Sequence, residues 1–322
     1  MKKLYVSAGA LLLIVGLITA CNKNSDPITP IDNGGVYASL DAVYSSLEVK
    51  GQKVTMDAAT GGSFRGNSGS RYTFQPNSFR TKNGAMVTGN VEIEVREMLK
   101  PSDMIFSKVL PVSNGEPLIS GGEVQVTIRQ NGQELLLADG MTYSVQLPQF
   151  GANNTGMDLF LGAPKAEDPV NMVNWQQVRK DSTGGGQGGG IPIGGIVHNG
   201  DTITLFSDSV GWANADRFLT NPNYQSFTVN ITGANITNSN QVTAYALYDN
   251  YNGVWPMMSI SNSGVISENH VPDIPMHFVV IAIVNGRFYG GITSVTPANG
   301  NTYTVALAET DPNAFKIRID GL

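Results

Sequence analysis

Any imidazole base or imidazole ligand in this chain has to be His198, His270 or His277, its only histidines, and any thiol chemistry has to be that of Cys21, its only cysteine. A hydrolase needs an activated nucleophile, paired carboxylates in a cleft, or a bound metal. The spacing of the residues offers none of these directly. The chain has no Gly-x-Ser-x-Gly turn to expose a serine and no His-Glu-x-x-His, and no second cysteine could complete a zinc set. His270 and His277 are separated by Pro272 and Pro275, so strand alternation cannot put both on one face, and loop or strand-edge positions are expected for them. Carboxylates are less restricted. Two glycosidase acids need only lie about 5–9.5 Å apart in space, and 26 Asp and Glu residues allow pairs that leave no trace in spacing.

Asp249-Asn250-Tyr251-Asn252-Gly253 has the look of a calcium loop. Aligning Gly253 with the glycine of an EF-hand puts Tyr248 at the first ligand position and Ser259 at the last, where a bidentate glutamate is required, so the match fails. A hairpin turn is expected instead. It would bring Tyr248, Tyr251 and Trp255 near amide side chains, an arrangement that can hold a sugar ring or simply pack a core. Trp212-Ala213-Asn214-Ala215-Asp216-Arg217-Phe218 is the other distinctive segment. If it is extended, Trp212, Asn214, Asp216 and Phe218 share a face and Arg217 points the other way. Trp212, Asn214 and Asp216 then form a candidate polar ligand cluster, or else the tryptophan plugs the core while Asp216 caps a turn.

The elements that must position these residues are strands. Apolar residues recur with period two in Val91–Arg96, Val124–Arg129 and Tyr143–Leu147, as half-buried antiparallel strands require. Asn83-Gly84, Asn114-Gly115, Asn131-Gly132 and Asn285-Gly286 supply the positive φ angles of tight hairpins. Further strands are expected at Val173–Val178, Thr202–Phe206, Phe227–Ile231, Val242–Tyr248, His277–Val284, Arg287–Ile292, Tyr303–Leu307 and Phe315–Ile319, and at most one helical turn within Asp41–Leu47. Thr183-Gly184-Gly185-Gly186-Gln187-Gly188-Gly189-Gly190 is a glycine tract without a following Gly-Lys-Ser/Thr, so it reads as a flexible loop or linker rather than a phosphate cradle. The fold class is all-β, with two antiparallel β-sandwich-like domains: residues 37–155, and residues 156–322 with the Gly-rich loop at 183–195.

Residues 1–20 are set apart from that body. Met1-Lys2-Lys3 is basic and Leu4–Ala20 carries no charge, but the apolar stretch Ala8–Ile18 is shorter than the roughly 20 residues of a membrane-spanning helix. This is a signal-peptide pattern. Leu17-Ile18-Thr19-Ala20-Cys21 resembles the lipobox of bacterial lipoproteins, which implies cleavage before Cys21, diacylation of its thiol with palmitate-type chains, and anchoring in the cell envelope at the outer membrane. The polar, proline-containing residues 21–36 read as a tether. Without Lys2 and Lys3 the mature chain has 18 basic against 26 acidic residues, a formal charge of −8. Scattered basic residues on an acidic chain exclude nucleic acid, whose phosphates demand clustered Lys and Arg.

Tyr72-Thr73-Phe74-Gln75-Pro76-Asn77-Ser78-Phe79, then Asn83-Gly84 and Val87–Glu97, resembles the β-sandwich segment of ZU5-like domains. Gly121-Gly122-Glu123-Val124 through Gly140 to Pro148, and Gly211–Phe218, are similar to further patches of uncharacterised Gram-negative lipoproteins that carry such segments. The resemblance implies an extracytoplasmic interaction protein and transfers no catalytic residue. The expectation is therefore a non-catalytic, lipid-anchored envelope module without cofactor or metal. Its partners would be the membrane through its lipid and a protein or glycan ligand. A carbohydrate-binding protein is the alternative and a hydrolase the more distant one.

Overall fold

Period-two alternation becomes alternating burial wherever a sheet has one covered face. The computed structural model describes residues 36–148, 155–165, 168–178, 194–199 and 202–322. Cys21, the signal segment, the tether through residue 35 and the whole glycine tract lie outside the described residues. After helix α1 (Leu40–Leu47) come β1 (Gln52–Asp57), β2 (Gly62–Arg65), β3 (Arg71–Phe74), β4 (Phe79–Arg80) and β5 (Asn90–Met98). Helix α2 (Pro101–Ser107) precedes β6 (Val112–Ser113), β7 (Glu116–Gln130), β8 (Gln133–Glu134), β9 (Leu136–Leu137) and β10 (Tyr143–Leu147). Next are β11 (Asp158–Pro164), β12 (Val173–Gln177), β13 (Gly195–Asn199), β14 (Thr202–Ser207) and β15 (Gly211–Phe218). The remainder is β16 (Tyr224–Thr232), β17 (Val242–Tyr248), β18 (Val254–Pro256), β19 (Val265–Pro272), β20 (Met276–Val284), β21 (Arg287–Val295), β22 (Thr302–Ala306), β23 (Ala308–Glu309) and helix α3 (Pro312–Asp320).

The strands form an all-β, sandwich-like protein. One sheet runs β1-β5-β7-β15-β11-β12 and faces a second, β13-β14-β10-β3-β2, across a core that includes Ile93, Val126, Tyr143, Val145 and Leu205. A third sheet, β19-β16-β22, faces a fourth, β18-β17-β20-β21-β23, across Val229, Ile266, Phe278 and Val280. A further apolar layer joins the two sandwiches. Met98, Leu118, Phe160 and Trp175 of the first sheet meet Tyr245, Leu247, Val279 and Ile281 of the fourth, together with residues of all three helices. Strand β20 is therefore covered on both faces, which explains why Phe278–Val284 is apolar at every position and buried throughout. Gly34–Leu322 forms one compact unit.

Strand pairing crosses the division expected at residue 155. Strand β15 lies between β7 and β11, and β14 pairs with β10, so the change of sheets falls between β15 and β16. Strands β12 and β13, which precede and follow the glycine tract in the chain, both belong to the first sandwich. The reason is the apolar, alternating character of β11, β14 and β15, which gives each a face for the first core.

Asn114-Gly115, Asn131-Gly132 and Asn285-Gly286 have positive φ at both residues, the geometry of type I′ hairpin turns. Three local readings are corrected. Phe315–Ile319 lies in helix α3, because Asp311 accepts from the Ala314 N–H and Pro312 opens the first turn. Phe315 and Ile319, one turn apart, are its buried side. Helix α2 was not expected, and it too starts at a proline. Strand β22 joins β16 in parallel, against the expected antiparallel pattern. Among the described residues no helix is long and apolar enough to cross a membrane.

Candidate functional site

The segment Trp212–Phe218 is extended, as its alternation demands, but it is an interior strand of a sheet covered on both faces. Asn214 and Asp216 are fully buried. Opposite them, Gly121 and Gly122 give β7 one extra residue, so that Asn214 pairs with Glu123 and Asp216 with Ser120. This is a β-bulge. Gly122 has φ +134°, and a Cβ there would stand 2.9 Å from Leu99 Cδ2. The bulge collects Ser120, Glu123, Asn214 and Asp216 into one sealed network. The Ser120 hydroxyl donates to Asn214 Oδ1 at 2.9 Å, and Asn214 Nδ2 donates to Asp216 Oδ2 at 2.5 Å and to Glu123 Oε1 at 3.4 Å. Burial, then the charge of Asp216, pushes the Glu123 carboxyl well above the carboxylate range. Burial does the same to Asp216, opposed by hydrogen bonds from Ser120 and Asn214. Trp212 packs edge-on against Trp175, with centroids 6.3 Å apart, and under the Arg96 guanidinium.

The three aromatic candidates around the Asp249–Gly253 turn are not gathered on one surface. The turn does join β17 and β18 as a hairpin. Tyr248 belongs to the core of the second sandwich, and burial holds its hydroxyl far above the usual phenol range. Trp255 is half-buried beside His270, which stacks on Tyr224 at 3.8 Å. The Tyr224 hydroxyl donates to Glu116 at 2.8 Å, and His270 Nε2 lies 3.7 Å from the same carboxylate. Tyr251 is half-buried under the Arg217 guanidinium. His198 is exposed on the edge strand β13.

Tyr248 and Tyr251 do line a cleft of about 250 Å³, together with Asp249, Asn250 and Asn252 of the turn, His277 of β20, Lys100 before α2, and Asp320 and Leu322 at the end of the chain. The cleft opens where the apolar layer between the sandwiches ends. Leu99, Pro101, Leu247 and Ile319 form its greasy wall, and Lys100 and Asp320 approach to 3.7 Å. Leu247 is paired with His277 across β17 and β20, and His277 with Ser294 across β20 and β21. Asp249, two residues beyond Leu247, is on the same side and diagonal to His277. The result is a row: Asp249 Oδ1 lies 2.9 Å from His277 Nε2, and Ser294 Oγ lies 2.9 Å from His277 Nδ1. The Asp249 and His277 side chains are part-exposed, and Ser294 is exposed.

Sequence reasoning missed this row, although half of it was available. A two-residue turn at Asn285-Gly286 pairs Val284 with Arg287, and counting back along both strands pairs His277 with Ser294. Asp249 carried no such signal, because β17 reaches β20 only through the tertiary fold. A second, wider cleft of about 490 Å³ lies between the start of α1 and the β17 edge, with Asp41, Lys108 and Met258 among its residues. Among the described residues no three His, Cys, Asp or Glu side chains are grouped to hold a metal ion. No family model and no curated protein matches the chain.

Proposed function

We propose that this protein is a lipid-anchored module of the bacterial cell envelope, held at the outer membrane through Cys21, that binds a small polar ligand in the cleft under the Asp249–Asn252 turn. One observation carries the binding reading. An aromatic ring, three amide or carboxylate side chains of the turn and an imidazole converge on a cavity with an apolar wall, and pockets of that mixed character are where small ligands are taken. A carbohydrate suits the mixture best, since its ring faces are apolar and its hydroxyls pair with Asn250, Asn252 and Asp249. The ZU5-like likeness of the first sandwich belongs to the same reading: its quoted residues form β3, the turn to β4, and β5, and none of them lines the cleft.

A glycan array with the full-length protein in detergent micelles tests the ligand. Binding that falls at least about tenfold in Tyr251→Ala supports it, and silence across the array leaves a protein ligand, sought by pull-down from intact cells. The anchor is tested by Cys21→Ala. An unprocessed or soluble form is expected after fractionation, and unchanged mature protein in the membrane fraction would remove the lipid from the proposal.

A further inference from the structure

The row Asp249–His277–Ser294 sets a carboxylate, an imidazole and a hydroxyl side by side, with His277 Nε2 2.9 Å from Asp249 Oδ1 and His277 Nδ1 2.9 Å from Ser294 Oγ. In the tautomer with its proton on Nε2, Nδ1 offers a lone pair and the Ser294 hydroxyl is the donor. Ser294 is then hydrogen-bonded to a base whose other nitrogen faces an acid. That is the relation of nucleophile, base and orienting carboxylate on which acyl-transfer sites are built, here with the two ring nitrogens interchanged. Asp249 Oδ1 is buried and receives no aligned hydrogen bond, so its 2.9 Å approach to His277 Nε2 is a charge contact. The other polar groupings lack one of these parts. Glu116, His270 and Tyr224 include no serine or thiol, and Glu123 and Asp216 have no access to solvent.

We propose that Ser294 is the nucleophile of an ester-hydrolysing site with His277 as its base and Asp249 as the positioning acid, acting on small acyl esters of the carbohydrate ligand. The proposal rests on the reading of the cleft as a ligand site. The cleft ends at His277, and Ser294 stands one strand further out, about 5 Å across the sheet, within reach of an ester lying over β20 and β21. Its Oγ adds to the ester carbonyl carbon and its proton passes to His277 Nδ1. The tetrahedral oxyanion collapses, the bond to the alcohol oxygen breaks, and the alcohol leaves with the proton from Nδ1. Water, deprotonated by Nδ1, then attacks the acyl-serine and releases the carboxylic acid, restoring the Ser294 hydroxyl. Asp249 keeps the ring oriented and stabilises the imidazolium that forms at each step.

The test uses the full-length protein in detergent micelles with two reagents, a fluorophosphonate and p-nitrophenyl acetate. Phosphonylation mapped to Ser294 by peptide mass spectrometry is expected, absent in Ser294→Ala. Ester turnover is expected to fall about 100-fold or more in Ser294→Ala and His277→Ala, and at least about tenfold in Asp249→Asn. An unlabelled Ser294, or equal turnover in Ser294→Ala, would overturn the proposal. Ser294 is exposed, so its alanine variant should melt as the parent does and a loss of labelling cannot be blamed on unfolding. Glycan binding by Ser294→Ala separates the two readings. Binding without labelling of the parent refutes the hydrolytic site alone, whereas labelling without glycan binding by either protein upholds the site and refutes the carbohydrate reading.

Discussion

The network at the β7/β15 bulge and the row at the end of β20 are built from similar side chains, and one turn of chain touches both. The backbone carbonyl of Asn252 accepts from the Ser120 N–H at 2.8 Å, while the side chains of Asp249 and Asn252 line the cleft. What separates them is water. Glu123 and Asp216 lie in a sheet covered on both faces, and burial disfavours the charged form of each and pushes both carboxyls well above their ordinary range. Asp249 and Ser294 lie where the covering layer stops, so the carboxylate meets an imidazole and the hydroxyl can meet a solute. Acidic residues alone therefore do not mark a site in this molecule. Position relative to the edge of the apolar layer does.

The comparison is broken most severely by removing the amide that serves both buried acids. Asn214→Leu would leave the Ser120 hydroxyl, Glu123 and Asp216 without their shared partner, and a loss of about 3 kcal/mol or more is expected in urea unfolding. A loss below about 1 kcal/mol would mean that the network contributes little. Gly253→Ala comes next. Its Cβ would stand 2.5 Å from the Tyr248 ring and 3.2 Å from the Leu118 carbonyl, so overpacking of about 1–3 kcal/mol is expected. Because that residue sits between the two clusters, glycan binding should weaken along with stability.

A smaller, pH-graded effect distinguishes the sealed acids from the open one. Both sealed carboxyls titrate above their ordinary range when folded, so the folded protein keeps protons that the unfolded chain releases. Their contribution to stability is full below about pH 4, where the unfolded chain is also protonated, and is lost as pH rises through the raised folded-state values. Asp216→Asn should flatten this decline, seen as a smaller drop in urea midpoint between acidic and alkaline buffers. An unchanged slope would count against burial of the charge. The smallest change is expected for Ser294→Ala, within about 0.5 kcal/mol of the parent in stability, since an exposed hydroxyl on a strand supports no core.

How much of this was legible in the sequence varies with the range of the interaction. Asn114-Gly115, Asn131-Gly132 and Asn285-Gly286 specified type I′ turns because positive φ at two successive residues is a local demand, and the last of them fixed the register that sets His277 opposite Ser294, whereas at Asn83-Gly84 only the glycine has positive φ. Val91–Arg96 and Val124–Arg129 showed their period because only one neighbour layer reads each face. Phe315–Ile319 misled, since two apolar residues at i and i+4 suit a short strand almost as well as a helix, and Asp311 with Pro312 holds the better signal.

Sequence by itself determined the all-β class, most strand positions and the hairpin turns, because alternation and backbone dihedrals are properties of neighbouring residues. Only the tertiary structure decided that the strands on either side of residue 155 share sheets, that Asn214 and Asp216 are sealed rather than presented, and that Asp249 meets His277. Each of these depends on which sheet covers which face, and burial of that kind is a property of the packed layers rather than of any stretch of chain.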